Sequence, residues 1–442
     1  KEKYFGKIND PQTELSATKL YPEVIVECYL IAHDKLFVPT TNPSRYNEST
    51  NTDMKILHVT PSLSQTWGGP SRVIKDLTES LYSKGIQNTI CATTGHRVGT
   101  VRHSELMELK AKTRLVPTQA LSTFWTGYSS HLPKTLLDEI KLHDLVHIHE
   151  LWHFPHFAAY WGAKKAGKPY CISTHGHLSQ WALNHKKIRK QIYLNVFQKK
   201  AMSKASALHA ITQEEAQHIR RLGISNDIHL IPNGIHANPC VDSINASDFL
   251  AMHPSLQGKP VLLFLGRIHP IKGLDLLVDA FKLVLNRYPE THLVIAGPDE
   301  NGYKQHIEDQ LKGNETYANC IFTGLLSERD KLKALKLANI LVLPSYSEVM
   351  GIATLEGMDA GLPVVITEGC QFPEVAENGA GLVVQHTSTS LSDAILYLLD
   401  NPQIRKKMGQ IGQQLISQTY NWSTISDSYI DLYADILRSK YE

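Results

Sequence analysis

The sequence contains few of the features of a secreted, membrane-spanning or nucleic-acid-binding protein. No apolar run approaches the length of a membrane span, and the first ten residues are charged where a signal peptide is apolar. The 45 Lys and Arg residues nearly balance 43 Asp and Glu residues, so nothing favours a general nucleic-acid binder. The cysteines form no C-x-x-C pair, and we interpret them as reduced core residues. They are Cys28, Cys91, Cys171, Cys240, Cys320 and Cys370. These absences predict a cytoplasmic protein.

The length of 442 residues predicts two domains, since one core rarely grows so large. Residues 1–53 fit poorly with the remainder, because one apolar piece, Val24 to Phe37, is followed by a polar tract rich in turn-forming residues. We interpret them as an N-terminal arm or linker and assign them no chemistry.

A regular alternation of strands and helices begins at Met54. The segments between the strands predict amphipathic helices such as Pro70 to Lys84 and Phe157 to Ala166, and Thr212 with Glu215 forms a capping box. The predicted strands are Lys55–Val59, Thr89–Thr93, Leu145–His149, Tyr170–Ser173 and Ala207–Ile211, with a last strand in Ile228–Gly234. This alternation predicts a Rossmann-like α/β domain with a doubly wound parallel sheet over residues 54–235.

A second alternation with the same plan follows over residues 236–420. Its predicted strands are Val261–Leu265, His292–Gly297, Cys320–Thr323, Ile340–Leu343, Val364–Thr367 and Leu382–Val384. Ligands of such sheets bind beyond the carboxyl ends of the strands, so two facing sheets create a cleft. Residues 421–442 predict a final helix.

Two carboxylates follow the buried strand Ile340 to Leu343. Glu348 lies in the loop after this strand, and Glu356 lies in the second turn of a helix that is predicted to start at Gly351. Free N–H groups and the positive end of the helix dipole lie between them. This arrangement predicts an anion site with a carboxylate on either side, which suits the sugar, diphosphate and ribose of a nucleotide sugar.

Cations and glycines follow two other strands. Gly266-Arg267 and Lys272 come after the strand Val261 to Leu265, where they can hold a diphosphate and neutralise the charge of a leaving group. The Gly68-Gly69 pair opens the first helix of the first domain and allows backbone N–H groups to approach a ligand. A surface Arg and Lys beside a turn is the alternative for the first pattern, and an ordinary loop is the alternative for the second.

Histidines follow two strands of the first domain. His175 comes after the strand Tyr170 to Ser173 and can hydrogen-bond a sugar hydroxyl. His147 and His149 lie on one face of another strand, which raises a metal site as an alternative. The sequence shows no well-placed third and fourth ligands, so we predict that no metal is bound.

The pair Glu348 and Glu356 resembles the E-x7-E signature of the family-4 retaining glycosyltransferases, and G-R-x4-K-G at 266–273 is similar to the donor-phosphate motif of that family. The resemblance covers about residues 54–420. It implies the GT-B architecture, with two facing Rossmann-like domains and a C-terminal helix that crosses back onto the first domain. The turn Asn233-Gly234-Ile235 departs from the family pattern because His236 replaces an Asp.

The resemblance also implies roles for individual residues. The predicted catalytic residues are His175, Arg267, Lys272 and Glu348. The predicted donor-binding residues are Gly68, Gly69, Gly266, Arg267, Lys272, Pro298, Gly324, Leu325, Glu348, Met350, Gly351, Ile352 and Glu356. Acceptor-side candidates are His149, Trp152 and His177. Glu348 would hold a sugar hydroxyl and Glu356 the ribose.

The segment Asn184 to Lys204 has seven Lys or Arg residues and no acid. Ile188, Ile192 and Val196 fall on one face of a helix, with Tyr193 at its edge. One interpretation is contact with an anionic membrane or a lipid-linked acceptor. The alternative is that the apolar stripe packs on its own domain, and we favour it slightly.

These features predict a retaining, metal-independent glycosyltransferase that moves a hexose from a UDP- or GDP-linked donor to a glycan or a lipid-linked acceptor. The absence of a D-x-D motif accords with a reaction that needs no metal or other cofactor. The predicted location is cytoplasmic, with the inner face of the membrane as a peripheral site. A nucleotide-sugar 2-epimerase of the same fold and a non-catalytic nucleotide-sugar-binding protein are the alternatives.

Overall fold

The computed structural model describes residues 54–64, 67–94, 109–119, 125–184, 187–237, 244–312 and 315–439. The predicted N-terminal arm, residues 1–53, lies outside the described residues.

The first sheet is built from seven parallel strands in the order β3-β2-β1-β4-β5-β6-β7. The strands are β1 Lys55–Thr60, β2 Gln87–Thr93, β3 Lys112–Val116, β4 Leu145–His149, β5 Tyr170–Ser173, β6 Ala207–Ala210 and β7 Ile228–Leu230. The order reverses between β1 and β4, so the carboxyl ends of these two strands flank a crevice. Three of the seven strands, β4, β5 and β6, are completely buried along their length, as apolar runs between two helical layers require.

The helices of the first half connect these strands and cover both faces of the sheet. They are α1 Gly69–Ser83, α2 Leu132–Leu142, α3 Phe154–Ala166, α4 Gln180–Asn184, α5 Lys187–Tyr193, α6 Lys199–Ser203 and α7 Gln213–Arg221, with a π-helical turn at Leu194–Gln198. Thr212 caps α7 as predicted, because its side chain accepts a hydrogen bond from the N–H of Glu215. The Glu215 carboxylate binds the N–H of Ile211 instead of the N-cap N–H.

The second sheet has six parallel strands in the order β10-β9-β8-β11-β12-β13. The strands are β8 Val261–Leu265, β9 His292–Ala296, β10 Cys320–Gly324, β11 Ile340–Leu343, β12 Val364–Thr367 and β13 Gly381–Val384. Its switch point lies between β8 and β11, the two strands that precede the predicted cations and carboxylates.

The helices of the second half surround this sheet. They are α8 Ser247–Met252, α9 Leu274–Leu285, α10 Tyr303–Leu311, α11 Glu328–Leu337, α12 Ile352–Asp359, α13 Glu374–Glu377, α14 Ser388–Asp400, α15 Pro402–Gln418 and α16 Trp422–Arg438. Short 3-10 turns occur at Pro254–Leu256, Pro270–Lys272, Glu315–Asn319 and Glu368–Cys370.

The last helix, α16, packs on the first domain, as the resemblance implied. Trp422, Tyr429 and Tyr433 belong to one buried cluster with Ile56 and Leu77. The hydroxyl of Ser80 also donates to the carbonyl oxygen of Trp422 at 2.9 Å. Burial of three large aromatic side chains makes this helix part of the first domain's core.

The predicted α/β architecture with two doubly wound parallel sheets is confirmed. Most predicted strands agree with the observed bounds to within two residues, and Leu145–His149, Ile340–Leu343 and Val364–Thr367 agree at both ends. Strand β3 was not predicted. It is an edge strand with polar residues along it, so it lacks the apolar run of a buried strand.

Candidate functional site

The loop after β11 leads to the N-terminus of α12. Gly351 is the N-cap of this helix, and the first N–H groups after it have no intrahelical acceptor. A Cβ atom on Gly351 would lie 2.7 Å from the carboxyl carbon of Glu348, so a larger residue here would displace this carboxylate from its position. Met350 has a left-handed backbone and is held by a bond from its N–H to the carbonyl oxygen of Cys370. The helix therefore starts with Glu348 folded over its positive end.

Glu348 forms an ion pair with Lys272. Nζ of Lys272 lies 2.6 Å from Oε2 of Glu348, and the hydroxyl of Ser345 donates to the same oxygen at 3.0 Å. Burial acts to raise the pKa of Glu348, but the Lys272 ammonium outweighs it, so the pKa lies below its ordinary value. The site thus holds a charged carboxylate beside a lysine at the carboxyl ends of β8 and β11.

Glu356 accepts hydrogen bonds from two cations on different domains. Nη1 of Arg72, on α1, and Nζ of Lys331, on α11, both contact Oε1 of Glu356. No hydrogen bond involves Oε2 of Glu356 in the described part of the chain. One oxygen of this carboxylate therefore joins the two domains, and the other is available to a ligand.

Arg267 lies where the two domains approach each other. Its Nη1 donates to Glu300 at 2.5 Å, and a Cβ atom built on Gly68 would lie 3.7 Å from its Nε. The predicted Gly68-Gly69 loop is thus adjacent to the predicted phosphate-binding cation. Gly266 is packed against Gly297, whose Cβ position is filled by the carbonyl oxygen of Gly266.

The predicted rim residues follow β9 and β10. The carbonyl oxygen of Pro298 accepts from the N–H of Ile268 at 2.9 Å, and the carbonyl oxygen of Gly324 accepts from the N–H of Gly297 at 2.9 Å. These two carbonyl groups therefore hold the loops together. Leu325 is 63% exposed and so presents its side chain to solvent.

His175 follows β5, and the residues on both sides of it donate hydrogen bonds to one carboxylate. The hydroxyl of Thr174 and the N–H of Gly176 both donate to Oε1 of Glu215, which fixes the backbone around His175 in a left-handed conformation. Gly176 faces the other domain, because a Cβ atom there would lie 2.7 Å from Val349. The loop that contains His175 thus meets the loop that contains Glu348.

The three acceptor-side candidates lie in different environments. His149 is buried with both ring nitrogens hydrogen-bonded, to His58 and to His175, so the expectation that it contacts an acceptor is wrong. Trp152 and His177 are partly exposed, and the indole N–H of Trp152 donates to the carbonyl oxygen of His177 at 3.2 Å. For these two residues the acceptor role stays a prediction.

Two groups of residues have the composition of a metal site. They are His58 with His147 and His149, and Glu150 with His153 and His177. The sequence did not indicate His58 as a member of this group, because it lies 89 residues before His147 in the chain. Zinc would need three or four side-chain atoms with a free lone pair directed at one point.

Neither group offers these lone pairs. All six ring nitrogens of the three-histidine group hydrogen-bond to protein atoms. In the second group, Nδ1 of His177 accepts from the N–H of Leu151 at 3.0 Å, so the neutral ring carries its hydrogen on Nε2, which faces Glu150. That nitrogen is a donor and not a ligand, and the residues present do not fit a metal ion.

Glu150 is a buried carboxyl group behind the Gly68-Gly69 loop. Both of its oxygens accept from the indole N–H of Trp67, at 3.0 and 2.9 Å, and Thr60 donates to one of them. Burial raises its pKa to about 8. Glu150 therefore anchors Trp67, the residue immediately before the Gly-Gly pair.

Several residues at the site were not found from the sequence. Arg72 and Lys331 pair with Glu356, Glu300 pairs with Arg267, and Glu215 holds the His175 loop. Only Arg72 had a detectable signal, because it lies in the first turn of the helix that the Gly-Gly pair opens. Asn233, in the turn that departs from the family pattern, donates to the carbonyl oxygen of Met350 at 3.0 Å.

The basic segment exposes its apolar stripe. Ile188, Ile192 and Val196 are 77%, 61% and 75% exposed, so the favoured interpretation that they pack on their own domain is wrong. The segment is also not one regular helix, because a π-helical turn lies between α5 and α6. In the described part of the chain, no helix is both long enough and apolar enough to cross a membrane.

Two family profiles match the chain. The profile described as "Glycosyltransferase Family 4" matches residues 67–238, and the one described as "Glycosyl transferases group 1" matches residues 248–415. The chain is 29% identical over 279 residues to the phosphatidyl-myo-inositol mannosyltransferase of Mycobacterium leprae, covering 59% of this chain and 71% of that protein. It is 24% identical to the D-inositol 3-phosphate glycosyltransferase of Streptomyces avermitilis, covering 67% and 66%.

Solved structures with the same architecture include HepE from Anabaena in complex with UDP and glucose. It aligns with a TM-score of 0.71 at 18% identity, covering 86% of this chain and 100% of that chain. The sucrose-phosphate synthase from Thermosynechococcus elongatus aligns with a TM-score of 0.67 at 19% identity, covering 87% and 100%. At these identities the likeness concerns the two-domain fold alone.

Proposed function

The chain belongs to the group 1, family 4 glycosyltransferases of the GT-B fold, and from this premise we propose that it is a retaining hexosyltransferase. The proposed donor is a UDP- or GDP-linked hexose, and the proposed acceptor is a glycan or a lipid-linked molecule. No metal ion takes part in the proposed reaction, because protein cations and a helix N-terminus neutralise the leaving group.

The observation that carries the proposal is the arrangement of cations around the start of α12. In a retaining transfer, negative charge grows on the departing nucleoside diphosphate, and stabilising that charge is the largest task of the protein. Lys272 and Arg267 each use one N–H on a carboxylate, Glu348 and Glu300. Their remaining N–H groups are available for phosphate oxygens, together with the first N–H groups of α12.

Two carboxylate oxygens support the proposed contacts to the sugar and the ribose. Glu348 uses Oε2 on Lys272 and Ser345, and Glu356 uses Oε1 on Arg72 and Lys331. The second oxygen of each group has no hydrogen bond within the described residues, so each can accept one from a ligand hydroxyl. We assign the sugar to Glu348 and the ribose to Glu356, and neither acts as a nucleophile or general base.

The names of the relatives support an acceptor that carries a lipid or a cyclitol. Two of them are a phosphatidyl-myo-inositol mannosyltransferase and a D-inositol 3-phosphate glycosyltransferase. We further propose that residues 184–204 contact an anionic membrane surface. The exposed Ile188, Ile192 and Val196 support this, since they lie among lysines that can pair with anionic head groups.

The function is tested by incubating the full chain with a panel of UDP- and GDP-sugars, with and without glycan and lipid-linked acceptors. We expect nucleoside diphosphate release that depends on the acceptor and persists in EDTA, and a product with the anomeric configuration of the donor. Interconversion of the donor without an acceptor would instead indicate the epimerase. Binding without any turnover would indicate a non-catalytic nucleotide-sugar-binding protein.

Variants of the two charged residues separate binding from turnover. Lys272→Ala is expected to lower kcat by at least about 100-fold, whereas Glu356→Gln mainly raises the donor KM. Lys282→Ala is the matched control, because Lys282 lies at the far end of α9 and pairs only with Asp279 among the described residues. Near-normal kinetics in Lys272→Ala would contradict the assignment.

Membrane contact is tested by sedimentation with vesicles of neutral phosphatidylcholine alone or with phosphatidylglycerol. We expect binding only to the anionic vesicles, and loss of binding when Ile188, Ile192 and Val196 are all changed to Ser. Leu283→Ser, at another exposed apolar residue, serves as the control. Equal binding of the triple variant and the unchanged protein would contradict the proposal.

A further inference from the structure

A chain of four hydrogen-bonded side chains leads from the core of the first domain to His175. Oδ1 of Asn88 lies 3.2 Å from Nε2 of His58, whose Nδ1 lies 3.0 Å from Nε2 of His149. Nδ1 of His149 lies 3.1 Å from Nε2 of His175. The first three residues are buried, and His175 is partly exposed. We call these four residues the open chain, because no further hydrogen bond to a described residue continues from the ring of His175.

The direction of the hydrogen bonds is set at Asn88. Its side-chain Nδ2 donates to the carbonyl oxygens of Ile86, at 2.9 Å, and Thr78, at 3.3 Å. These two acceptors hold the amide nitrogen, so Oδ1 faces His58 and can only accept. His58 must therefore carry a hydrogen on Nε2.

The three rings are neutral. Burial lowers the pKa of His58 to about 3 and lowers the pKa of His149 and of His175 well below the ordinary value. No carboxylate hydrogen-bonds to any of these rings within the described residues, so nothing compensates a buried positive charge. A neutral imidazole has one donor nitrogen and one acceptor nitrogen.

The tautomer of each ring then follows from its neighbour. Because His58 donates from Nε2, its Nδ1 accepts, and His149 must donate to it from Nε2. His149 consequently accepts at Nδ1, and His175 must donate to it from Nε2. Nδ1 of His175 is left with a lone pair. No described group of the protein hydrogen-bonds this nitrogen, so a ligand that contacts the ring edge there meets an acceptor.

We propose that Asn88, His58 and His149 are positioning residues that hold His175 in its Nε2–H tautomer, so that Nδ1 accepts a hydrogen bond from a hydroxyl of the donor sugar. This inference rests on the proposed transferase function. It predicts a selectivity, because a substituent that can only accept a hydrogen bond, such as fluorine or a carboxylate, leaves two lone pairs facing each other.

The tautomers can be read directly from the full chain labelled with 15N-histidine. Two-bond nitrogen–proton correlations at pH 7 distinguish Nδ1–H from Nε2–H rings, and His175→Gln identifies the signal of His175 by its disappearance. We expect His175 to carry its hydrogen on Nε2. An Nδ1–H form of His175 in the unchanged protein overturns the proposal.

Variants of Asn88, in the open chain, and of Tyr433, outside it, provide the matched comparison. Asn88→Leu removes the acceptor that sets the direction, and we expect His175 to become a mixture of tautomers. Tyr433→Phe is the control, because Tyr433 hydrogen-bonds His147 and not the open chain. It should leave the His175 signal unchanged. A folded Asn88→Leu protein with an unchanged His175 signal overturns the proposal.

A kinetic measurement connects the tautomer to the sugar. Donor analogues with a single hydroxyl replaced by fluorine are compared with the parent donor, and one position is expected to lose about 100-fold in kcat/KM. In Asn88→Leu this loss should shrink at least about fivefold, whereas in Tyr433→Phe it should persist. An equal loss in all three proteins overturns the role of the tautomer. If the spectra agree but no nucleotide sugar is consumed, the proposed function fails and the tautomer assignment stands.

Discussion

Two histidine networks run side by side through the first domain, and they end differently. In the second network the hydroxyl of Tyr433 lies 2.8 Å from Nδ1 of His147, whose Nε2 lies 2.6 Å from Oγ of Ser173. Oγ of Ser173 in turn lies 2.7 Å from Nδ1 of His209, and Nε2 of His209 donates to the carbonyl oxygen of Ile231 at 2.8 Å. We call this the closed chain, because both ends meet protein groups.

The comparison shows that the end of a network decides its role. His147 and His149 are two residues apart on β4, with ring centroids 3.9 Å apart, and both are fully buried and neutral. The closed chain ends on a backbone carbonyl and on the C-terminal helix, so it can only stabilise the fold. The open chain ends on His175, whose Nδ1 has no hydrogen bond within the described residues. Two buried histidines on one strand therefore serve different purposes, because their hydrogen bonds lead to different ends.

The largest difference between the open and the closed chain is expected when one histidine ring is removed from each of these networks. His175→Ala should lower kcat/KM by about 100-fold, because the donor loses an orienting contact. Its unfolding free energy should change by less than about 1 kcal/mol, since the ring is partly exposed. Steady-state kinetics and urea unfolding of the same preparation provide both values.

The closed chain should respond in the opposite way. His209→Ala removes one of the two hydrogen bonds of the buried Ser173 hydroxyl and the side-chain donor to the Ile231 carbonyl, and it leaves a cavity. We expect a loss of about 2–4 kcal/mol in unfolding free energy. The kinetics of the protein that remains folded should be close to normal. A similar kinetic loss in both variants would remove the distinction between the chains.

Acid should affect both chains alike. The pKa of His58 is lowered to about 3 and that of His209 to about 4, so below about pH 6.5 the unfolded chain binds protons that the folded protein does not. Stability is therefore present above about pH 6.5 and is lost as the pH falls toward these values. Each ring contributes about 1.4 kcal/mol per pH unit.

Urea unfolding at several values between pH 5 and 6.5 measures this slope. His58→Gln and His209→Gln should each reduce it by about the contribution of one ring. The open and closed chains would then be equal in stability and different only in function. A slope that neither variant changes would contradict the neutral state of the rings, and with it the order of tautomers.

The sequence predicted the features that depend on local pattern. Strand bounds at Leu145–His149 and Ile340–Leu343 follow from apolar runs, and the start of α12 next to Gly351 follows from a change of periodicity. Contacts between distant segments left no local signal. His58 meets Asn88 and His149, which are 30 and 91 residues away, and Arg72 reaches Glu356 across 284 residues.

Burial was the other quantity that local pattern did not predict. The stripe Ile188, Ile192 and Val196 has the spacing of a face that packs on its domain, yet it is exposed. His149 has the position of a ligand contact at the end of a strand, yet it lies behind His175. In both cases the neighbouring elements, and not the local spacing, decide what covers the side chain.

The smallest expected effect concerns the end of the closed chain on α16. Tyr433→Phe removes one hydroxyl and leaves Nδ1 of His147 without its donor, which should cost about 1 kcal/mol of unfolding free energy. The donor KM should not change, because His147 shares no hydrogen bond with His175. A shift in the donor KM as large as that of Asn88→Leu would mean that the two networks act as one unit through the contact between the rings of His147 and His149. In that case α16 would share the role of holding His175 with the open chain.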